Sequence, residues 1–215
     1  MDKHSEHLEN LSEIRSLMER SSRFISLSGL SGVAAGIFAI IGALAAYWYL
    51  GANPRSQDTR HYYEFAWTSS GELNIDFYTF FVTDAMLVLA ASLFVGSMLT
   101  IRSSRKKGYA IWGPTAKRLL INLLIPLITG GLFCLVLFYH GLVGMVAPAT
   151  LIFYGLALIN ASKYTLDDIR YLGICEIALG LVSSIFIGWG LVFWTIGFGL
   201  LHIIYGLVMY NKYEK

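Results

Sequence analysis

Two side chains able to exchange protons lie inside apolar stretches of this chain. Glu176 precedes Trp189 by 13 residues, and His202 follows it by 13. The sequence at the midpoint, Gly188-Trp189-Gly190, reads as the tip of a helical hairpin. In an antiparallel hairpin, equal distance from the tip means equal depth, here about 20 Å at 1.5 Å per residue. An unpaired carboxylate in hydrocarbon is costly, so either Glu176 carries a proton or a base such as His202 compensates it. Three uses fit such a pair: a proton relay or polar site for an ion or small solute, a general acid–base pair, or interhelical glue worth about 0.6–2 kcal/mol.

The neighbours on each helix face sharpen the pattern. Gly173, Glu176, Gly180 and Ser183 share one stripe, and Thr195, Gly199, His202 and Gly206 share another. Each ionisable residue thus lies on its helix's smallest face, the face expected to point into a bundle. Asn122 and Asn160 are each 19 residues from Gly141. They are expected to meet about 10 Å from the Glu176–His202 level and, with that pair, to line one polar pocket. Asp84 lies on the other side of the midplane, where an outer-loop arginine or His140 could pair with it. If it shares a cavity with Glu176 and His202, the three form a broken line of protonatable groups across the membrane.

These residues need a scaffold that buries them in lipid. The chain is 56% hydrophobic and 14% charged, against about a quarter charged in ordinary soluble domains. Its apolar blocks are about 20 residues long, enough to cross a hydrocarbon layer of about 30 Å. The expected fold is an all-α integral membrane protein with six transmembrane helices in three antiparallel hairpins. The spans fall at about 24–50, 77–100, 118–139, 142–162, 166–187 and 191–210, followed by a tail at 211–215. Residues 1–23 carry Leu8, Leu11, Ile14, Leu17 and Met18 at helical spacing among charges, which predicts a short amphipathic cytoplasmic helix. That head does not resemble a cleaved signal peptide, so the first span is expected to serve as its own insertion signal.

Fourteen of the sixteen Lys and Arg residues fall on one side of this arrangement; Arg55 and Arg60 are the exceptions. The positive-inside rule places both termini in the cytoplasm. Outer-side Asn-x-Ser/Thr sequons are absent, which favours a bacterial inner membrane. Arg102, Arg105, Lys106 and Lys107 form a basic cluster suited to anionic lipid headgroups, and too small and membrane-adjacent to suggest nucleic acid. Gly32 and Gly36 form a GxxxG motif that could pack within the chain or against a second copy. Residues 165–168 resemble a capping box opening the fifth span. The outer loop, 51–76, is rich in aromatics that could lie on headgroups or cap the bundle.

The sequence contains no HExxH, GxSxG or P-loop motif. Cys134 and Cys175 lack metal-type spacing, and no cofactor or metal is expected. The reading that follows is a membrane protein handling an ion or small solute, with Glu176 and His202 as its central site and Asp84 beyond it. The alternatives are a structural or regulatory subunit, with residues 1–23 or the basic face holding a partner, and a lipid-modifying enzyme.

Overall fold

The computed structural model describes residues 28–51, 57–108 and 112–215, with the side chains of 57–61 and of Lys107 left out of account. The amphipathic helix expected at 1–23 lies outside the described residues. Among those described, the regular structure is all helical, apart from one isolated bridge between Trp67 and Leu73. Five helical stretches are long and apolar enough to cross a membrane. They comprise α1 (Gly29–Tyr49), α2 (Ile75–Lys107), α3 (Pro114–Tyr139), the 3-10 turn Val143–Met145 with α4 (Val146–Ser162), and the C-terminal rod beginning near Ile187. The remaining helix, α5 (Asp168–Ile185), carries Asp168, Arg170 and Glu176 in its eighteen residues and is less apolar for that reason.

The rod is not a uniform helix. A 3-10 turn at Ile187–Trp189 leads into α6 (Gly190–Trp194), a π-helical turn at Thr195–Leu201, and α7 (His202–Tyr213). α2 is 33 residues long, or about 50 Å, and so outruns the hydrocarbon layer. It carries the exposed Arg102, Arg105 and Lys106 past the apolar zone and ends at Gly108, whose φ of 69° is readily adopted by glycine.

Glycine decides which helices pack closely. A β-carbon added at Gly36 would lie 2.6 Å from the Gly199 carbonyl oxygen, and one at Gly206 would lie 2.6 Å from the Gly29 carbonyl oxygen. α1 and the rod therefore touch backbone to backbone. Gly155 and Gly173 do the same for α4 and α5, each facing the other's carbonyl oxygen at 2.5–2.7 Å from an added β-carbon. α2 adds to the first pair by packing on α1, and α3 adds to the second by packing on α4. The result is two groups of three helices, α1–α2–rod and α3–α4–α5.

Two features of this arrangement bear on the last hairpin and on the Gly32/Gly36 motif. The rod packs mainly on α1, not on α5, its predicted hairpin partner. The Gly32/Gly36 face is covered by that same rod, with Gly32 close to Gly206 and Gly36 close to Gly199 and Ile203. Within the chain, the motif packs against the rod. In both cases the reason is the same: small faces on α1 and the rod fit each other without side chains between them.

The loop between α1 and α2 caps the bundle. Its 3-10 helix, Gln57–Ala66, ends in Tyr62 and Ala66, which are buried with Phe77 and Val143. Tyr62 reaches Gly190, Tyr63 reaches Gly144, and Trp67 lies against Gly141. At the opposite, basic end, the C-terminal residues hold both groups. Glu214 accepts a 2.5 Å hydrogen bond from the Gly29 amide and a 3.2 Å bond from the Ser28 hydroxyl, at the start of α1. The Lys212 ammonium donates to both oxygens of Asp168 at 2.9–3.0 Å, and the Tyr213 hydroxyl donates to it at 2.7 Å, at the start of α5. The helix begins at Asp168, and its N-cap, Asp167, makes no side-chain cap bond.

Candidate functional site

Glu176 is fully buried on α5, and His202 is 5% exposed where the π turn passes into α7. The His202 Nδ1 atom lies 3.5 Å from Glu176 Oε1. That separation is proximity without a hydrogen bond. Nδ1 is 2.9 Å from the Gly197 carbonyl oxygen, which can only accept, so Nδ1 carries a proton and directs it there. The other ring nitrogen, Nε2, is 2.7 Å from the Tyr154 hydroxyl. With neutral imidazole, the tyrosine donates and Nε2 accepts.

Among the described residues, neither Glu176 carboxyl oxygen has a hydrogen-bond partner. Buried polar groups are nearly always satisfied, and one left bare costs about 1–3 kcal/mol, more if charged. Ser183 Oγ, two turns along the same α5 stripe, and the Tyr205 hydroxyl on α7 are also buried without a partner.

The π turn explains how His202 reaches this place. Widening the helix by one residue brings the Gly197 carbonyl under residue 202, within reach of its imidazole. Gly197 is required for a second reason. An added β-carbon there would lie 2.5 Å from Glu176 Oε2 and 2.5 Å from Leu151 Cδ2. Aromatic rings fix the imidazole laterally: Phe198 stacks on it at 5.9 Å and Tyr154 lies at 5.3 Å between centroids.

Tyr154 and Gly197 were not singled out in the sequence. Tyr154 was within reach of the same arithmetic, since it follows Gly141 by 13 residues, as His202 follows Trp189. Three residues at 13 positions from two tips on one side share a depth. Gly197 gave no comparable signal, because its role depends on a π turn that helical periodicity does not report.

Asp84 is not part of this cluster. It sits on α2, which packs on α1, and a β-carbon added at Gly42 of α1 would be 3.2 Å from its Oδ2. His140 ends α3, with its ring against Tyr139. Asn122 and Asn160 do meet, but apart from the Glu176 site. The Asn160 amide donates to the Asn122 backbone carbonyl at 2.8 Å. That carbonyl is the one Pro126, four residues on, leaves without an amide partner. The bond thus repairs a proline kink between α3 and α4. Asn160 lies about 120° around α4 from Tyr154, at 100° per residue, so the four residues do not line one pocket. Among the described residues, no cluster of three or more His, Cys, Asp or Glu could hold a metal ion.

The fold and site thus define an all-helical membrane protein whose two helix groups meet around a buried Glu–His–Tyr cluster. The chain matches no protein-family model, no curated protein and no solved structure.

Proposed function

We propose that this protein moves a small solute or ion across the membrane in a proton-linked cycle, with Glu176 as the group that gains and loses the proton. The observation that carries this reading is the Glu176 carboxyl: fully buried, without a hydrogen bond, and 3.5 Å from a buried histidine. It lies where α5 meets the rod, and this contact is far slighter than the packing inside either three-helix group. Groups that are rigid within and loosely joined are suited to rocking about a central site. The 3-10 helix Gln57–Ala66 closes the outer end of the seam, and the Lys212 and Tyr213 contacts with Asp168 close the basic end. Opening either end wets Glu176 and lets it exchange a proton with that side. His202 and Tyr154 then reorganise around the new charge. Neutral imidazole accepts from Tyr154, whereas imidazolium would donate through both nitrogens, to Tyr154 and toward Gly197 and Glu176.

In this reading the basic end faces the cytoplasm of a bacterial inner membrane, with both termini inside, six spans and three chain-order hairpins. The distribution of Lys and Arg supports that orientation.

The test is proton-driven flux in proteoliposomes, followed by an internal pH dye while a panel of ions and small solutes is supplied. Glu176→Gln is expected to abolish proton movement coupled to the active solute, and His202→Gln to cut it at least tenfold. If both variants insert, fold and carry solute at the wild-type rate, the reading is wrong.

A further inference from the structure

Away from the Glu176 seam, α3 and α4 leave an apolar groove of about 420 Å³ between them. Pro126, Thr129, Phe153, Leu156 and Ile159 line it, with Asn160 and Lys163 at one end. Its origin lies in the proline. Pro126 is inside α3, and the carbonyl it strands is taken up by the Asn160 side chain from α4. This bond ties the helices together at the Asn122 level. Further along, Gly130 meets Phe153, where an added β-carbon would clash with that ring. The groove lies alongside these two points of contact and opens sideways, toward the bilayer.

Its two ends differ chemically. One end runs into the apolar middle of the helices. At the other, Lys163 is exposed, and its ammonium lies 3.4 Å from Asn160 Oδ1. Arg118, also exposed, is one turn before Asn122 on α3. By helical rise, Lys163 and Arg118 both lie about 5 Å beyond the Asn122–Asn160 bond, where the apolar spans give way to the basic end. Among the described residues in this stretch of α3 and α4, no carboxylate opposes them; the nearest in sequence, Asp167 and Asp168, open α5. Basic pockets between transmembrane helices at the headgroup level suit anionic lipid heads.

We infer that this groove is a binding site for one anionic phospholipid, its acyl chain along Phe153 and Leu156 and its phosphate at Lys163 and Arg118. The charge at the mouth and the apolar wall behind it each match one half of such a lipid. A zwitterionic lipid offers the chain without the net charge and should bind more weakly. The site is separate from the basic end of α2, where Arg102, Arg105 and Lys106 are exposed on a helix that does not pack on this groove. It requires neither the proton cycle nor the assigned orientation.

Native mass spectrometry of delipidated protein titrated with phosphatidylglycerol or phosphatidylcholine tests the assignment. Wild type is expected to retain one phosphatidylglycerol at least tenfold more tightly than phosphatidylcholine. Lys163→Glu should remove that preference. Leu156→Trp, which fills the groove and leaves the charges in place, should weaken both lipids, while Arg105→Glu should leave the tight site intact. Thr129→Trp is the second blocking variant if Leu156→Trp fails to fold, and Lys163→Gln the second charge variant. Loss of the preference in Arg105→Glu, equal retention of the two lipids by wild type, or undiminished phosphatidylglycerol binding in a folded blocking variant would each overturn the assignment.

Discussion

At the scale of single residues, the bare Glu176 carboxyl lets experiment tell a working group from a structural one. A glue residue stabilises through its bonds, so its removal lowers stability. Glu176 has none to lose. Glu176→Met should therefore leave thermal stability unchanged or raise it by about 1–3 kcal/mol, the range for relieving a bare buried polar group, while abolishing proton-coupled flux. Calorimetry in detergent beside the flux assay would show it; a clear loss of stability would return Glu176 to a structural role. Tyr154→Phe removes the hydroxyl facing His202 Nε2. Expected are a loss of about 1 kcal/mol and a displaced pH profile of flux, with the maximal rate affected less than in Glu176→Gln. Gly197→Ala forces a methyl toward Glu176 and Leu151 and should cost about 1–3 kcal/mol by overpacking. Sequence spacing brought Glu176 and His202 to one depth, because depth in a helix scales linearly with residue number. It could not disclose the bond from His202 to Gly197, which depends on a local change of helical pitch.

At the scale of elements, the α3–α4 contact offers a sharp test. Asn160 serves the carbonyl that Pro126 strands. Asn160→Leu should destabilise the wild type by about 1–3 kcal/mol, and much less once Pro126→Ala has restored the missing amide. Thermal unfolding of the two single variants and the double variant would give the coupling energy; strict additivity would break the link. The sequence held both halves of this arrangement. Asn122 and Asn160 were legible as a matched pair, and Pro126 as a kink, but not the fact that the acceptor is backbone. The register of α1 against the rod was legible only as small-residue stripes on each. Which stripe meets which is a tertiary choice among several similar faces, and the rod's closest packing went to α1 through the glycine fit between Gly29, Gly36, Gly199 and Gly206.

At the scale of the whole molecule, the C-terminal residues act as a strap across the seam. Lys212 and Tyr213 hold α5 through Asp168, and Glu214 holds α1. Deleting 212–215 should leave both three-helix groups folded but free to part at that end. Hydrogen exchange is expected to quicken at 168–176 and at 29–33 and to stay slow where Gly155 meets Gly173; uniform protection would argue that the strap carries no such restraint. Membrane insertion was legible from composition alone, because long apolar blocks have few other fates. The division into two groups was not, because it rests on a contact between the first helix and the last. The π turn gives that division a hereditary side. Such a turn amounts to an α-helix with one residue too many. A single-codon deletion within 195–201 would let the helix close with ordinary pitch and leave the faces after it in place, whereas an extra residue that no wide turn absorbed would wind them by about 100°. Gly206 and Tyr210 would keep their places on α1, and the change would fall on the turn itself, where the Gly197 carbonyl faces His202, so a lineage that shed this residue would lose the site before it lost the seams.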